Sequence, residues 1–152
     1  APDQRVVAVL GDGDFLMTVQ ELATAVQHRI PVVCLVLNNA GWQAITDLQL
    51  AAYSGGCDYA TQFNVEGEGF TPDLVAVARA FGAHGERVTK AAGVKPALER
   101  ALESDGPAVV EVMVNRDFPH SGGLTAGWWD VPVPVYLTER RARYERERAE
   151  ER

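Results

Sequence analysis

Two uninterrupted apolar runs, Val6 to Leu10 and Val32 to Leu37, each break abruptly into small polar residues. The first ends in Gly11-Asp12-Gly13-Asp14 and the second in Asn38-Asn39-Ala40-Gly41. Runs that are apolar without alternation suit parallel strands covered on both faces. Between them the periodicity turns helical, with Val19, Leu22, Ala23 and Val26 on one stripe. Thr18 and Glu21 have the spacing of a capping box, Met17 and Leu22 that of a hydrophobic staple, and Pro31 stops the helix. A single amphipathic helix in a β-α-β unit is therefore predicted, with both polar breaks at carboxyl ends of strands. Open α/β sheets bind ligands there.

Downstream, Ile45, Leu48 and Ala52 place a helix over 42–53, and glycine-rich residues 54–69 read as a long loop. In that loop Asp58, Glu66 and Glu68 lack the spacing of a calcium site. Thr71-Pro72-Asp73 has the form of an N-cap, a first-turn proline and an acid, opening a helix through Phe81 that Gly82 ends. A connector carrying His84, a strand near Glu86 to Thr89, a helix over 95–104 and a strand over 108–114 complete the alternation. The expected fold class is α/β, a mainly parallel sheet with helices on both faces. Residues 1–137 are expected to form the domain, lacking its first strand, and 138–152 a charged, solvated, partly frayed helix rich in Glu and Arg. The segment before that helix holds His120 and the pair Trp128-Trp129 amid Gly and Pro, where packing on the domain or a partner is expected.

The chain has 152 residues, one domain's length, and a net charge of −7, which argues against a nucleic-acid surface. No apolar run approaches the roughly 20 residues of a membrane span. Two cysteines are no disulfide framework, so cytoplasm is the expected compartment; Cys34 reads as a small hydrophobe in a strand and His28 as a solvated helix end. The opening Ala1-Pro2-Asp3-Gln4 leads directly into a central strand without an initiator Met, which reads as a piece of a longer polypeptide.

Asp12 sets the chemistry expected at the strand ends. Flanking glycines and turn amides favour a phosphate-like anion, yet Asp12 is itself an anion. At about 4 Å two like charges repel by roughly 4 kcal/mol at an effective dielectric near 20, against roughly 0.3–1 kcal/mol from a helix terminus. A divalent cation resolves the conflict, and Mg2+ often pairs one or two protein ligands with phosphate oxygens. Asp12 offers a carboxylate, Asn39 an amide oxygen and Gly41 a carbonyl.

Gly11-Asp12-Gly13, about two dozen residues, then Asn38-Asn39 resembles the signature of thiamine diphosphate enzymes. The phrase GDGDFLMTVQELATAV is similar to acetolactate synthase-like members. The resemblance implies that Asp12 and Asn39 bind Mg2+ by side chains and Gly41 by its carbonyl. It also implies that Gly11, Gly13, Asp14, Trp42 and Gln43 lie along thiamine diphosphate, with Ala44 and Ile45 lining the substrate side. Asp14 departs from the small hydroxyl residue many members carry, so capping of the turn is an equal expectation for its side chain. Ile45 stands where decarboxylases of the family often have glutamate, which turns the expectation away from simple pyruvate decarboxylation.

The implied function is making or breaking a carbon–carbon bond beside a carbonyl, acetolactate synthase-like on a 2-oxo acid. Hydrolysis of a cyclic dione is the runner-up, since the chain's ending is faintly similar to that of the inositol-breakdown dione hydrolase. The activating glutamate is expected on a pyrimidine-binding domain of the same or a neighbouring chain, in a homo-oligomer, dimer or tetramer. Two other classes compete: a nicotinamide-binding Rossmann domain, which needs a third glycine near Leu16 and an acid closing the second strand, and a non-catalytic partner subunit.

Overall fold

A computed structural model describes residues 4–53, 59–116 and 133–150. They fall into two compact units. The first comprises residues 4–41 and 64–116, and the second residues 42–53, 59–63 and 133–150.

The first unit is built on a four-stranded, wholly parallel sheet. In chain order its strands are β1 (Val6–Gly11), β2 (Val32–Asn38), β5 (His84–Val88) and β6 (Ala108–Met113), arranged β1-β2-β6-β5. Two residues each, β3 (Asn64–Val65) and β4 (Glu68–Gly69) form a separate antiparallel hairpin. It ties back through Arg116, whose guanidinium donates to Asn64 Oδ1 at 2.6 Å. The expected loop over 54–69 is thus structured in its second half, because Glu66 (φ 52°) and Gly67 (φ 86°) adopt the left-handed backbone of a tight turn.

Helices cover the sheet on both faces, as the alternation required. On one face Phe15, Leu22, Leu74 and Ala78 pack against Val36 and Val109; these come from α1 (Asp12–Thr18), α2 (Glu21–Gln27) and α4 (Leu74–Ala80). On the other face α5 (Val94–Glu103), entered by a 3-10 turn at Ala91–Gly93, sets Ala97 and Ala101 against Val33, Val110 and Val112. Burial on both faces holds for β6 from Ala108 to Val112 and in part for β2, where Leu37 is exposed, but Val6, Val7 and Val9 of β1 are exposed.

Several local expectations are corrected. The single helix after β1 is two. It starts at once, at Asp12, because the Asp14 carboxylate accepts the Gly11 N–H at 3.3 Å. Thr18 is no N-cap: its hydroxyl donates back to the Asp14 carbonyl at 3.4 Å, a bond that bends helices. At the break the Leu22 and Ala23 N–H groups donate three residues back, to Val19 and Gln20. Met17 is exposed rather than stapled to Leu22. The cap of α4 is Asp73, which accepts the Ala76 N–H at 3.1 Å, while Thr71 is engaged elsewhere. His84 opens β5 instead of lying in a connector.

In the second unit, α3 (Gln43–Ala52) is held by side chains from residues 59–63: Thr46 and Thr61 hydroxyls share a 2.7 Å hydrogen bond, and Gln62 Nε2 donates to Thr46 Oγ1 at 3.0 Å. The charged ending forms α6 (Thr138–Glu150). Although its composition is polar, Tyr144 is buried against Val133, and the Arg140 guanidinium donates to the Tyr53 and Leu50 carbonyls at 2.6 and 3.0 Å. This helix is anchored, not merely solvated. Among the described residues no helix is long and apolar enough to cross a membrane.

Gly85 marks a close approach of β5 and α4. A Cβ there would lie 2.9 Å from the Val75 carbonyl oxygen and 3.2 Å from its Cγ1. Gly85→Ala is expected to push α4 off β5 and to cost about 1–3 kcal/mol, read as a lower denaturant midpoint with an unchanged m-value.

Candidate functional site

Pairing of β1 with β2 places Gly11 opposite Leu37, so the residues that follow each strand emerge side by side. Asp12, in the first turn of α1, has no accessible surface. Its Oδ2 accepts the buried Gly41 N–H at 3.1 Å. One terminal atom of the Asn39 amide lies 3.2 Å from Asp12 Oδ1 and 2.9 Å from the Gly41 carbonyl oxygen. Nitrogen at that position donates to both oxygens. A half-turn of the amide puts oxygen there, and three oxygens then converge. Ligands about 2.0–2.1 Å from an octahedral Mg2+ sit about 2.9 Å apart along an edge, so the two separations from the Asn39 atom, 3.2 and 2.9 Å, are close to such edges, and oxygen is the ligand chemistry that such an ion takes.

The turn carrying Asn39 and Gly41 is shaped by its neighbours. Ala40 has φ 56°, a left-handed conformation uncommon for a residue with a Cβ. Its N–H donates to Asn38 Oδ1 at 3.0 Å. Both protons of the fully buried Asn38 amide are also used: Nδ2 donates to Thr71 Oγ1 at 2.8 Å and to Glu111 Oε1 at 2.7 Å. Glu111 in turn accepts from Arg87 Nε at 2.7 Å, and Arg87 reaches Asp73 at 2.9 Å. Sequence reasoning missed Glu111, Arg87 and Thr71. The available signal was the lone acid in the apolar run Ala108 to Met113.

Of the other residues expected here, Gly13 is buried in the first turn of α1, and Asp14 is exposed with its carboxylate capping Gly11. Trp42, Gln43, Ala44 and Ile45 follow Gly41 directly along the chain and open α3 of the second unit. There Trp42 meets Phe63 edge-on at 6.4 Å and Gln43 Nε2 donates to Asp47 Oδ1 at 2.9 Å; Ala44 and Ile45 are exposed. Burial pushes the Cys34 thiol above its ordinary range, in keeping with a packing role. Ala1 to Asp3, Cys57, Asp58, His120, Trp128 and Trp129 lie outside the described residues.

Residues 1–112 match the family described as thiamine pyrophosphate enzyme, C-terminal TPP binding domain. The chain belongs to that family. Its cofactor is thiamine diphosphate. A putative thiamine pyrophosphate-containing protein, YdaP, of Bacillus subtilis is 38% identical over 126 residues, 83% of this chain and 21% of YdaP. The acetolactate synthase large subunit of Corynebacterium glutamicum is 37% identical over 118 residues, 77% of this chain and 18% of that subunit. The 3D-(3,5/4)-trihydroxycyclohexane-1,2-dione hydrolase of Bacillus subtilis is 34% identical over 137 residues, 87% of this chain and 20% of that enzyme. Among solved structures, the thiamine diphosphate-dependent 4-hydroxybenzoylformate decarboxylase of Rhodococcus jostii RHA1 superposes with a TM-score of 0.67 at 29% identity, covering 77% of this chain and 21% of its own. This chain thus spans about a fifth of the length of the relatives it matches.

Burial raises the Asp12 carboxyl above the ordinary carboxylate value, outweighing the backbone N–H groups of Asp12, Gly41, Gly13 and Asn39 that pull it down. A raised acid stabilises the folded state below the unfolded value, and that contribution is lost as pH rises through the folded value. In chelator, stability is expected to fall across that window, and Asp12→Asn to flatten the slope, read from thermal melts of the two proteins at stepped pH.

Proposed function

We propose that this chain is the diphosphate- and Mg2+-binding domain of a thiamine diphosphate enzyme that makes or breaks carbon–carbon bonds next to a carbonyl. The observation that carries the metal assignment is the approach of one Asn39 amide atom to Asp12 Oδ1 at 3.2 Å and to the Gly41 carbonyl oxygen at 2.9 Å. Asp12 and Asn39 hold the ion by side chains and Gly41 by its carbonyl. Gly11, Gly13 and Asp14 border the diphosphate, Trp42 and Gln43 run along the cofactor, and Ala44 and Ile45 face the substrate. Bound thiamine diphosphate supplies the carbon nucleophile and the electron sink.

The chain's own part is electrostatic and positional. Asp12 contributes the formal negative charge that balances the cation, and the Gly41 N–H holds that carboxylate in place. The Asp14 carboxylate keeps α1 starting at Asp12, which keeps the Asp12 side chain at the strand ends. Activation of the cofactor's aminopyrimidine is assigned to a glutamate on a pyrimidine-binding domain of the same or a neighbouring chain in a homo-oligomer.

Acetolactate synthase-like chemistry on a 2-oxo acid is the leading subtype, supported by the synthase relatives. Cyclic-dione hydrolysis is the second reading, favoured by the longer match, 87% of this chain for the dione hydrolase against 77% for the bacterial synthase. Assay of the full-length enzyme for pyruvate condensation against cyclic-dione cleavage separates the two.

Calorimetry of the full-length enzyme is expected to show saturable thiamine diphosphate binding that requires Mg2+. Asp12→Ala removes the charged ligand and is expected to weaken it by about 2–5 kcal/mol, roughly thirtyfold to several thousandfold. Binding indifferent to both Mg2+ and Asp12→Ala would sink the assignment, and NAD binding in its place would favour a Rossmann domain.

A further inference from the structure

Glu111 is a carboxylate at the middle of β6, flanked by Val110 and Val112, paired across to Val36 and Arg87, and without accessible surface. Replacement of buried ion pairs by apolar residues is often neutral or stabilising, so stability alone does not account for an acid there. Its contacts do. Oε1 accepts from Asn38 Nδ2 at 2.7 Å and Oε2 from Arg87 Nε at 2.7 Å. Since Nδ2 also donates to Thr71 Oγ1 at 2.8 Å, the Asn38 amide cannot turn over without setting its own oxygen against the Glu111 carboxylate. With Nδ2 fixed, Oδ1 must face the Ala40 N–H, 3.0 Å away. That bond closes the turn in which Ala40 is left-handed and from which the Asn39 side chain and the Gly41 carbonyl approach Asp12.

We infer that Glu111, anchored by Arg87, is a positioning residue for the cation: through the Asn38 amide it sets the turn that presents Asn39 and Gly41 to Asp12. The inference rests on the Mg2+ assignment above. A buried hydrogen bond behind a metal ligand is worth about 10–100-fold in metal affinity. Glu111 acts one residue further out, through Asn38, and the lower end of that range applies.

The test uses the full-length enzyme with Glu111→Leu and Glu111→Gln. Three readouts are compared: melting without ligands, Mg2+ titration at saturating thiamine diphosphate by calorimetry, and kcat at saturating Mg2+. Glu111→Leu is expected to melt cooperatively, to need about tenfold more Mg2+, and to recover most of its kcat when Mg2+ saturates. Glu111→Gln keeps an acceptor for Asn38 and is expected to fall between Glu111→Leu and wild type. A purely structural role would shift melting and leave the Mg2+ titration unchanged, so wild-type Mg2+ affinity in Glu111→Leu overturns the inference. Where Glu111→Leu does not fold, wild-type Mg2+ affinity in Glu111→Gln overturns it. Asp12→Ala is the control: if it leaves the Mg2+ titration of the wild type unchanged, the cation assignment itself has failed, whereas loss of binding in Asp12→Ala alone isolates the failure to Glu111.

Discussion

At the carboxyl ends of β1 and β2 a fully buried carboxylate is held within hydrogen-bonding distance of a backbone N–H and beside an amide that touches both the carboxylate and a carbonyl oxygen. Taking a charge out of water costs several kcal/mol unless something of opposite sign or several donors meet it. Here the donors are few: backbone amides and, in one orientation, the Asn39 nitrogen. The rest of the first unit can be understood as what keeps Asp12, Asn39 and Gly41 together in spite of that cost. Strand pairing sets β1 beside β2, the Asp14 cap starts α1 at Asp12, and the left-handed Ala40 turns the Asn39 and Gly41 groups inward.

The free energy that offsets this arrangement comes from apolar burial on the two faces of the sheet. Leu74, Val36 and Val109 on one side and Val33, Val110 and Ala97 on the other are almost wholly removed from water, each larger side chain contributing roughly 1.5–3 kcal/mol. Besides Asp12, the polar side chains of Asn38 and Glu111 are buried in this unit, and each oxygen and nitrogen of the two has a partner. An interior network with every donor and acceptor matched is rigid, because moving one member exposes another. Through the Asn38 Oδ1 bond to the Ala40 N–H, that network is joined to the turn that carries Asn39 and Gly41.

Family membership and geometry therefore bear on different questions. The match over residues 1–112 assigns the chain to the thiamine pyrophosphate enzymes, and the superposition with a decarboxylase of that class agrees with the order of strands and helices. The chain spans about a fifth of the length of those relatives. What the structure shows of this chain is Asp12, the Asn39 amide and Gly41 brought together at the strand ends, with Asn38 and Glu111 buried beside them.

Much of this was legible in the amino-acid order. Unalternating apolar runs such as Val32 to Leu37 suit a covered parallel sheet, and the Gly-Asp-Gly and Asn-Asn breaks follow the adjacent strands β1 and β2. Apolar periodicity also foretold the helical segments, but neither the break between α1 and α2 nor the caps. Thr18 and Thr71 have the right letters for N-caps, and tertiary contacts gave their hydroxyls other work, on the Asp14 carbonyl and the Asn38 amide. Tyr144 lies in a helix rich in Glu and Arg, and its burial against Val133 and Leu137 comes from the fold. The pairing of Glu111 with Asn38, 73 residues apart, and with Arg87 has no local signature at all. Periodicity and motif spacing are properties of neighbours along the chain, so they specified elements and put the Gly-Asp-Gly and Asn-Asn letters at strand ends. Which polar groups share a buried hydrogen bond depends on strand order and register, which exist only once the sheet has assembled.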